Sequence, residues 1–173
     1  MSRTTTLLWS LAGLLFIALA GVAAYKALPI LNPELGAVAA LDENCDLRAG
    51  PCFSKVAGGR VSFAIKTEGI PLVKPLELEV KLDGIEASKV EVDFIGLGME
   101  MGFNRPQLEA KGSGLYIGTG MLPVCIRVAM EWEARVLITT ADGLIAAPFR
   151  FITAKDGAAL PGRSQCKKCY SLG

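Results

Sequence analysis

The chain has 173 residues, and its 18 Lys and Arg against 17 Asp and Glu leave a net charge of +1, too little for a nucleic-acid surface. It contains no histidine, which removes the commonest general base and the commonest metal ligand, and with them a Ser-His-Asp or Cys-His hydrolase and any His-built zinc site. Five cysteines and a mean hydropathy of +0.42 remain to be explained, and any metal here would need sulfur or carboxylate ligands.

Residues 7–24, LLWSLAGLLFIALAGVAA, carry no charge and account for much of the hydropathy. As a helix they rise about 27 Å, close to the hydrocarbon thickness of a bilayer. Trp9 and Tyr25 stand near the two ends, where interfacial aromatics belong. Residues 1–30 therefore read as a transmembrane anchor in the lipid bilayer. The competing reading is a cleaved signal peptide, with Ala18-Leu19-Ala20 as the A-x-A site. Both readings export the remainder of the chain. Arg3 and the amino terminus mark the short side as cytoplasmic, with Lys26 opposing them. The expectation is a single pass through the cytoplasmic (inner) membrane with the domain on the periplasmic, outer side.

Residues 31–44 read as a stalk. Pro29 and Pro33 each lack a backbone donor and restrict the residue before them, so they end any helix, and residues 34–41 form at most a short one. Cys45 and Cys52 then frame CDLRAGPC, where Gly50 and Pro51 make a turn. In an oxidising compartment this spacing predicts a disulfide, with about 2–3 kcal/mol from closing so small a loop. A metal or redox pair is the alternative.

From Gly59 onward the pattern has period two. Val61, Phe63 and Ile65 alternate with polar or small residues, as do Leu76, Leu78, Val80 and Leu82, then Val90, Val92 and Phe94. Residues 115–117 continue the β texture. Trp132, Ala134, Val136 and Ile138 form another alternating run, Asp142-Gly143 is a hairpin signal, and residues 145–152 give a last strand. About seven short strands without helical periodicity predict a mainly β fold, an immunoglobulin-like antiparallel β-sandwich over residues 45–153, with a small barrel as runner-up and Trp132 in the core. Residues 154–173 read as a flexible tail carrying Cys166-Lys167-Lys168-Cys169, a pair suited to a tail disulfide, thiol exchange or a soft metal.

The chemistry-bearing stretch is residues 93–132, which holds Met99, Met101, Met121, Met130 and Cys125. If Met99 and Met101 lie on a strand, both thioethers face one side. Met121 and Cys125 share a parity too, with Pro123 between them. Thioethers with a thiolate form a soft set that selects Cu(I), so Met99, Met101, Met121 and Cys125 are the candidate metal ligands, with Met130 in reserve. The competing role is core packing, since methionine fills irregular gaps. Glu100 and Glu131 read as exposed strand charges, and Asn104-Arg105-Pro106 as a turn. No residue is a candidate for catalysis, and the expectation is a protein that is not an enzyme.

An N-terminal span, a C-x6-C loop, VDFIGLGMEMGFNRPQL, LPVC and MEWEARVLI together resemble, in layout, the FixH and YtkA-like families: one anchor and an exported immunoglobulin-like domain. The resemblance covers residues 45–152 and implies a place in copper handling or the assembly of respiratory oxidases, with a membrane or envelope protein as partner and Cu(I) as cofactor. It carries over no ligand residue. The rival expectation is a metal-free interaction module of the cell envelope. A thiol-disulfide protein acting through Cys166 and Cys169 comes third.

Overall fold

The structure, a computed structural model, describes residues 3–31, 36–56, 58–99, 101–124 and 128–155, with the side chains of α1 described over 8–26. Two units divide at Glu34 and Leu35, and each is treated by itself.

The first unit is helix α1, Arg3–Leu31. Leu8–Lys26 has a mean hydropathy of 2.0 and is long and apolar enough to cross a membrane. Leu8, Trp9, Leu14, Phe16, Ile17, Leu19 and Tyr25 all stand exposed, so the helix is apolar around its circumference and has no polar face to turn to water. Pro29 does not end the helix as expected. It falls in the last turn, where its missing donor removes one bond, and the helix runs two residues further.

The second unit is mainly β. Its strands are β1 (Ala37–Val38), β2 (Cys52–Val56), β3 (Gly59–Ile65), β4 (Pro75–Asp83), β5 (Lys89–Gly96), β6 (Gln107–Gly112), β7 (Leu115–Met121), β8 (Ala129–Thr140) and β9 (Gly143–Ala154). They form one hydrogen-bonded sheet in the order β1-β9-β8-β5-β6-β7-β4-β3-β2. The sheet turns back on itself at β6. The start of β6 pairs with β5 (Val90 opposite Leu108), and its end pairs with β7 (Glu109 opposite Ile117). The two halves thus face each other around one core, an arrangement compatible with the expected sandwich and close to the barrel that was its runner-up.

The alternating residues do what their period requires. Val61, Phe63, Leu76, Leu78, Val80, Val90, Val92, Phe94, Ala134, Val136 and Ile138 are all buried. Trp132 is fully buried as expected, and its Nε1–H donates to Thr153 Oγ1 at 2.9 Å, so the indole's one polar group is satisfied. Phe63 meets Phe149 from across the core at 5.6 Å between ring centroids, and Phe94 meets Phe151 edge-on at 6.5 Å. At the tight corner β7 turns Gly118 and Gly120 inward. A Cβ on Gly118 would come within 3.0 Å of Leu108 Cγ, and one on Gly120 within 3.0 Å of Phe94 Cε2. Only glycine lets the sheet bend this closely over its own core.

The expected stalk is in part integral to the domain. Gly36 N–H donates to Leu144 O and Ala39 N–H to Ala146 O, each at 2.8 Å, and β1 pairs parallel with β9 between them. Ala39 is buried, so described residues 36–44 belong to the β unit rather than to a spacer, and no short helix forms there. Next to this pairing, Pro148 of β9 has no N–H to offer, so β1 stops after two residues.

Candidate functional site

The connections divide the β-domain into two ends. At one, which we call the turn end, lie the β4–β5, β6–β7 and β8–β9 connections and the entry of residue 36. At the other, the loop end, lie the described residues 66–74, 97–99, 101–106, 122–124 and 128.

Among the described residues, five large apolar side chains stand in solvent at the loop end: Val73 at 55%, Phe103 at 61%, Met121 at 51%, Val124 at 64% and Val128 at 65% exposure. Hydrogen bonds tie the loops that carry them. Val73 N–H donates to Leu122 O at 2.9 Å, which ties the first loop to the third. Asn104 Nδ2 donates to Met121 O at 2.9 Å, which ties the second loop to the end of β7. Lys155 N–H donates to Val128 O at 2.9 Å and fixes the return into β8. Phe103, Asn104, Arg105, Met121 and Pro75 line a shallow depression. Strain accompanies this exposure. Ile70 (φ 46°) and Val73 (φ 56°) lie in the left-handed region, which costs β-branched residues about 1–3 kcal/mol each. Ile70 buries its side chain in return, whereas Val73 does not.

Beneath the rim lies a pair of opposite charges. Arg105 donates to Asp93 Oδ2 of β5 at 2.9 Å, with side-chain exposures of 9% and 13%. The guanidinium carbon also sits 5.0 Å from the Phe103 ring centroid. Arg105 thus clamps the second loop to β5 and carries Phe103 above it, a cation–π contact worth about 0.5–1 kcal/mol at such a site. The expected turn at residues 104–106 is an extended run. Phe94 N–H donates to Asn104 O and Val92 N–H to Pro106 O, which prolongs β6 along β5. On the outer face of β8 and β9, Glu133 accepts from Arg135 at 2.6 Å and from Arg150 at 3.2 Å. Elsewhere, Lys111 holds the exposed Glu109 carboxyl below its usual range, chiefly through a hydrogen bond and then through its charge. Asp46 raises the Arg48 guanidinium by accepting its hydrogen bond.

The methionines are arranged differently from the strand-parity expectation. Met99 and Met101 follow the end of β5 and lie on no strand, so the rule that residues two apart share a face does not apply. Both pack half-buried against the core. Met101 and Met130, the latter the reserve residue, both approach Gly96. A Cβ on Gly96 would collide with Met130 Cε and lie 2.8 Å from Met101 Cγ and 2.9 Å from Met99 O. Met130 is buried at 3% exposure. Met121 closes β7 and stands out among the rim residues. Cys125, Cys166, Cys169 and Glu100 lie outside the described residues, and Glu131 is half-buried on β8. Among the described residues no group of three or more Asp, Glu, Cys or His is placed to hold a metal.

Cys45 and Cys52 are joined in a disulfide, with their Cα atoms 5.7 Å apart, as the spacing predicted. The loop between them is built on Asp46, which accepts from Arg48 N–H and from its guanidinium, and Leu47 is buried at 2%.

Sequence reading found the sulfur residues but missed the rim. Its signal was present in GIPLVKP, MGFNRP and MLPV, where a large apolar residue sits inside turn-forming sequence and has no alternating partner to bury against.

These features define a chain with one membrane-length apolar helix and a disulfide-bonded, mainly β domain. Comparison with family models, with curated proteins and with solved structures yields no match.

Proposed function

We propose that the chain is a membrane-anchored, exported β-domain that acts by binding a protein of the cell envelope through its loop end. The observation that carries this reading is the gathering of Val73, Phe103, Met121, Val124 and Val128 in solvent at one end of the fold. Large exposed apolar side chains held together by fixed loops are characteristic of interaction surfaces, and their cost to solubility needs an offsetting use. The disulfide suits an oxidising compartment, and the apolar helix suits a single-pass anchor in the inner membrane with the domain on the periplasmic side. A reporter fused after Gly173 should be active only in its periplasm-sensitive form. Activity only in the cytoplasm-sensitive form reverses the topology.

The partner is tested with photo-crosslinking residues placed one at a time at Phe103, Met121 and Val124, and at Glu86 and Asp142 of the turn end. The expected result in intact cells is one protein adduct from the first three positions and none from the last two. Equal adducts from both ends, or none from either, overturn the reading.

A second reading rests on Met101 and Met130, whose side chains both approach Gly96, where the Met99 carbonyl also lies. Here the domain holds Cu(I) on thioethers and the Cys125 thiolate and passes it to a respiratory copper protein during assembly. Full chain carrying Cys166→Ser and Cys169→Ser should then take one Cu(I) from a competing chelator. Cys125→Ser should weaken the uptake most, and Met101→Leu with Met130→Leu less. If those variants compete as well as the parent, the methionines only pack.

A further inference from the structure

The order of the sheet leaves a seam. β1 and β2 stand at its two ends, and no strand pairing joins them among the described residues. They are consecutive in the chain, and the segment between them closes the gap by other means. Leu47 inserts into the core, and Cys45 packs against it. Ser54 Oγ–H of β2 donates to Ala40 O at 3.1 Å. The Cys45–Cys52 disulfide ties the segment to the first residue of β2. On the far side the hold is short, since β1 pairs with β9 through Ala37 and Val38 alone.

Apart from β6, which pairs with β5 only at Val90 and Glu91, closure elsewhere is extensive. β8 pairs with β9 along its full length, β5 pairs with β8 from Lys89 to Gly96, and β4 pairs with β7 from Pro75 to Lys81. Covalent closure is thus placed where hydrogen-bonded closure is weakest. The two sulfurs differ in setting, since Cys52 is buried at 1% exposure and Cys45 is half-buried. The Cys45 side is the one presented to an incoming thiolate.

We infer that the Cys45–Cys52 disulfide is a redox latch on this seam, opened by a dithiol and closed again by exchange with a disulfide, which takes up the two electrons and leaves as a dithiol. One thiolate of the dithiol attacks Cys45 Sγ. The bond to Cys52 Sγ breaks, and Cys52 leaves with the electron pair and takes up a proton. The second thiol of the reductant then attacks its own sulfur in the mixed disulfide and releases Cys45. The protein disulfide is reduced by two electrons, and the dithiol becomes a disulfide. Reduction removes the constraint on residues 45–52. Leu47 then has only its own burial to hold it, and the β2 edge bearing exposed Phe53 is uncovered. The extensively paired strands β4, β5 and β7–β9 stay closed, because none of their pairing passes through the latch.

The test is hydrogen exchange read by mass spectrometry on the full chain in detergent micelles, oxidised and then reduced with dithiothreitol without denaturant. It is repeated on Cys125→Ser/Cys166→Ser/Cys169→Ser, in which Cys45 and Cys52 are the sole cysteines. The expected result is protection over residues 36–56 falling by about tenfold or more, with 76–82 and 132–138 unchanged, and full recovery on re-oxidation. Three results overturn the inference: protection over 36–56 that does not change on reduction, protection lost throughout the β-domain together, or a disulfide that dithiothreitol reduces only after denaturation.

Discussion

At the turn end, β6 passes to β7 through Ser113 and Gly114, and β8 passes to β9 through Ala141 and Asp142. At the loop end the corresponding passages are seven to ten residues long. Short connections have few residues to expose, and among the described residues the one large apolar side chain exposed beside them is Val38 on β1. Long connections bring apolar residues with them, and five of these stay in solvent. The strain is distributed in the same way. At the turn end positive φ falls on glycines, among them Gly84, Gly112, Gly114 and Gly143, and on Ser113, whereas at the loop end it also falls on Ile70 and Val73, whose β-branched side chains bear it worst. One end is therefore built for closure, and the other is held open by its loops at a cost to stability.

The contrast can be broken first where closure is tightest. Gly114→Ala puts a methyl against the Leu82 carbonyl at φ +72°, where Leu82 N–H already donates to Gly114 O. Backbone cannot give way, so the loss should be about 3 kcal/mol, seen as a lower urea midpoint at unchanged slope. Arg105→Ala comes next. It leaves Asp93 without its clamp in a site that is mostly buried and should cost about 2 kcal/mol, with Arg105→Ala/Asp93→Ala recovering part of it in a double-mutant cycle. Gly96→Ala, at the root of the loop end, meets the flexible Met130 terminus, Met101 Cγ and the Met99 carbonyl, and about 1 kcal/mol is expected. If Gly96→Ala costs as much as Gly114→Ala, the loop end is as rigid as the turn end.

Phe103→Ser, Met121→Ser and Val124→Ser together should move stability by no more than about 0.5 kcal/mol, because these side chains bury little. With a photo-crosslinking residue placed at Val73, which should also give the adduct in the parent, the same triple variant should lose it. A large fall in stability would mean that the rim is structural. The smallest effect is at Glu109. Its carboxyl is held low by Lys111, so the contribution is present above the unfolded pKa and lost as pH falls through the folded one. The group is fully exposed, and Glu109→Gln should leave the melting temperature unchanged between pH 3 and 7 within error.

Strands whose inward residues are apolar and whose outward residues are polar were legible: β3, β4, β5 and β8 fall where the alternation put them, and β9 covers the run read at 145–152 after the Asp142-Gly143 turn. β2 was missed because its pattern runs against polarity: Ser54 faces in while Phe53 faces out, and Cys52 carries the burial. β6 buries Leu108 alone, so no period shows. β1 is two residues defined by what β9 offers them, which no local sequence can specify. For the site, the sulfur residues were easy to see, but their relations were not. Met130 is brought to Gly96, which Met101 also approaches, by the pairing of β5 with β8, and the parity argument failed because the chain leaves β5 at Gly96, before Met99.

The pairing of β1 with β9 also sets an order of events in synthesis. Ala37 finds its partner Ile145 about 100 residues later in the chain, whereas Cys45 and Cys52 are separated by 7. At about 5–20 residues per second, β1 waits on the order of 5–20 s for the strand it completes, while the disulfide can close almost as soon as its two cysteines are oxidised. The loop around Leu47 is then preformed before most of the core it enters exists. The first strand made is thus the last to be seated, and a nascent chain that ends before β9 has a finished loop and no wall for β1 to join.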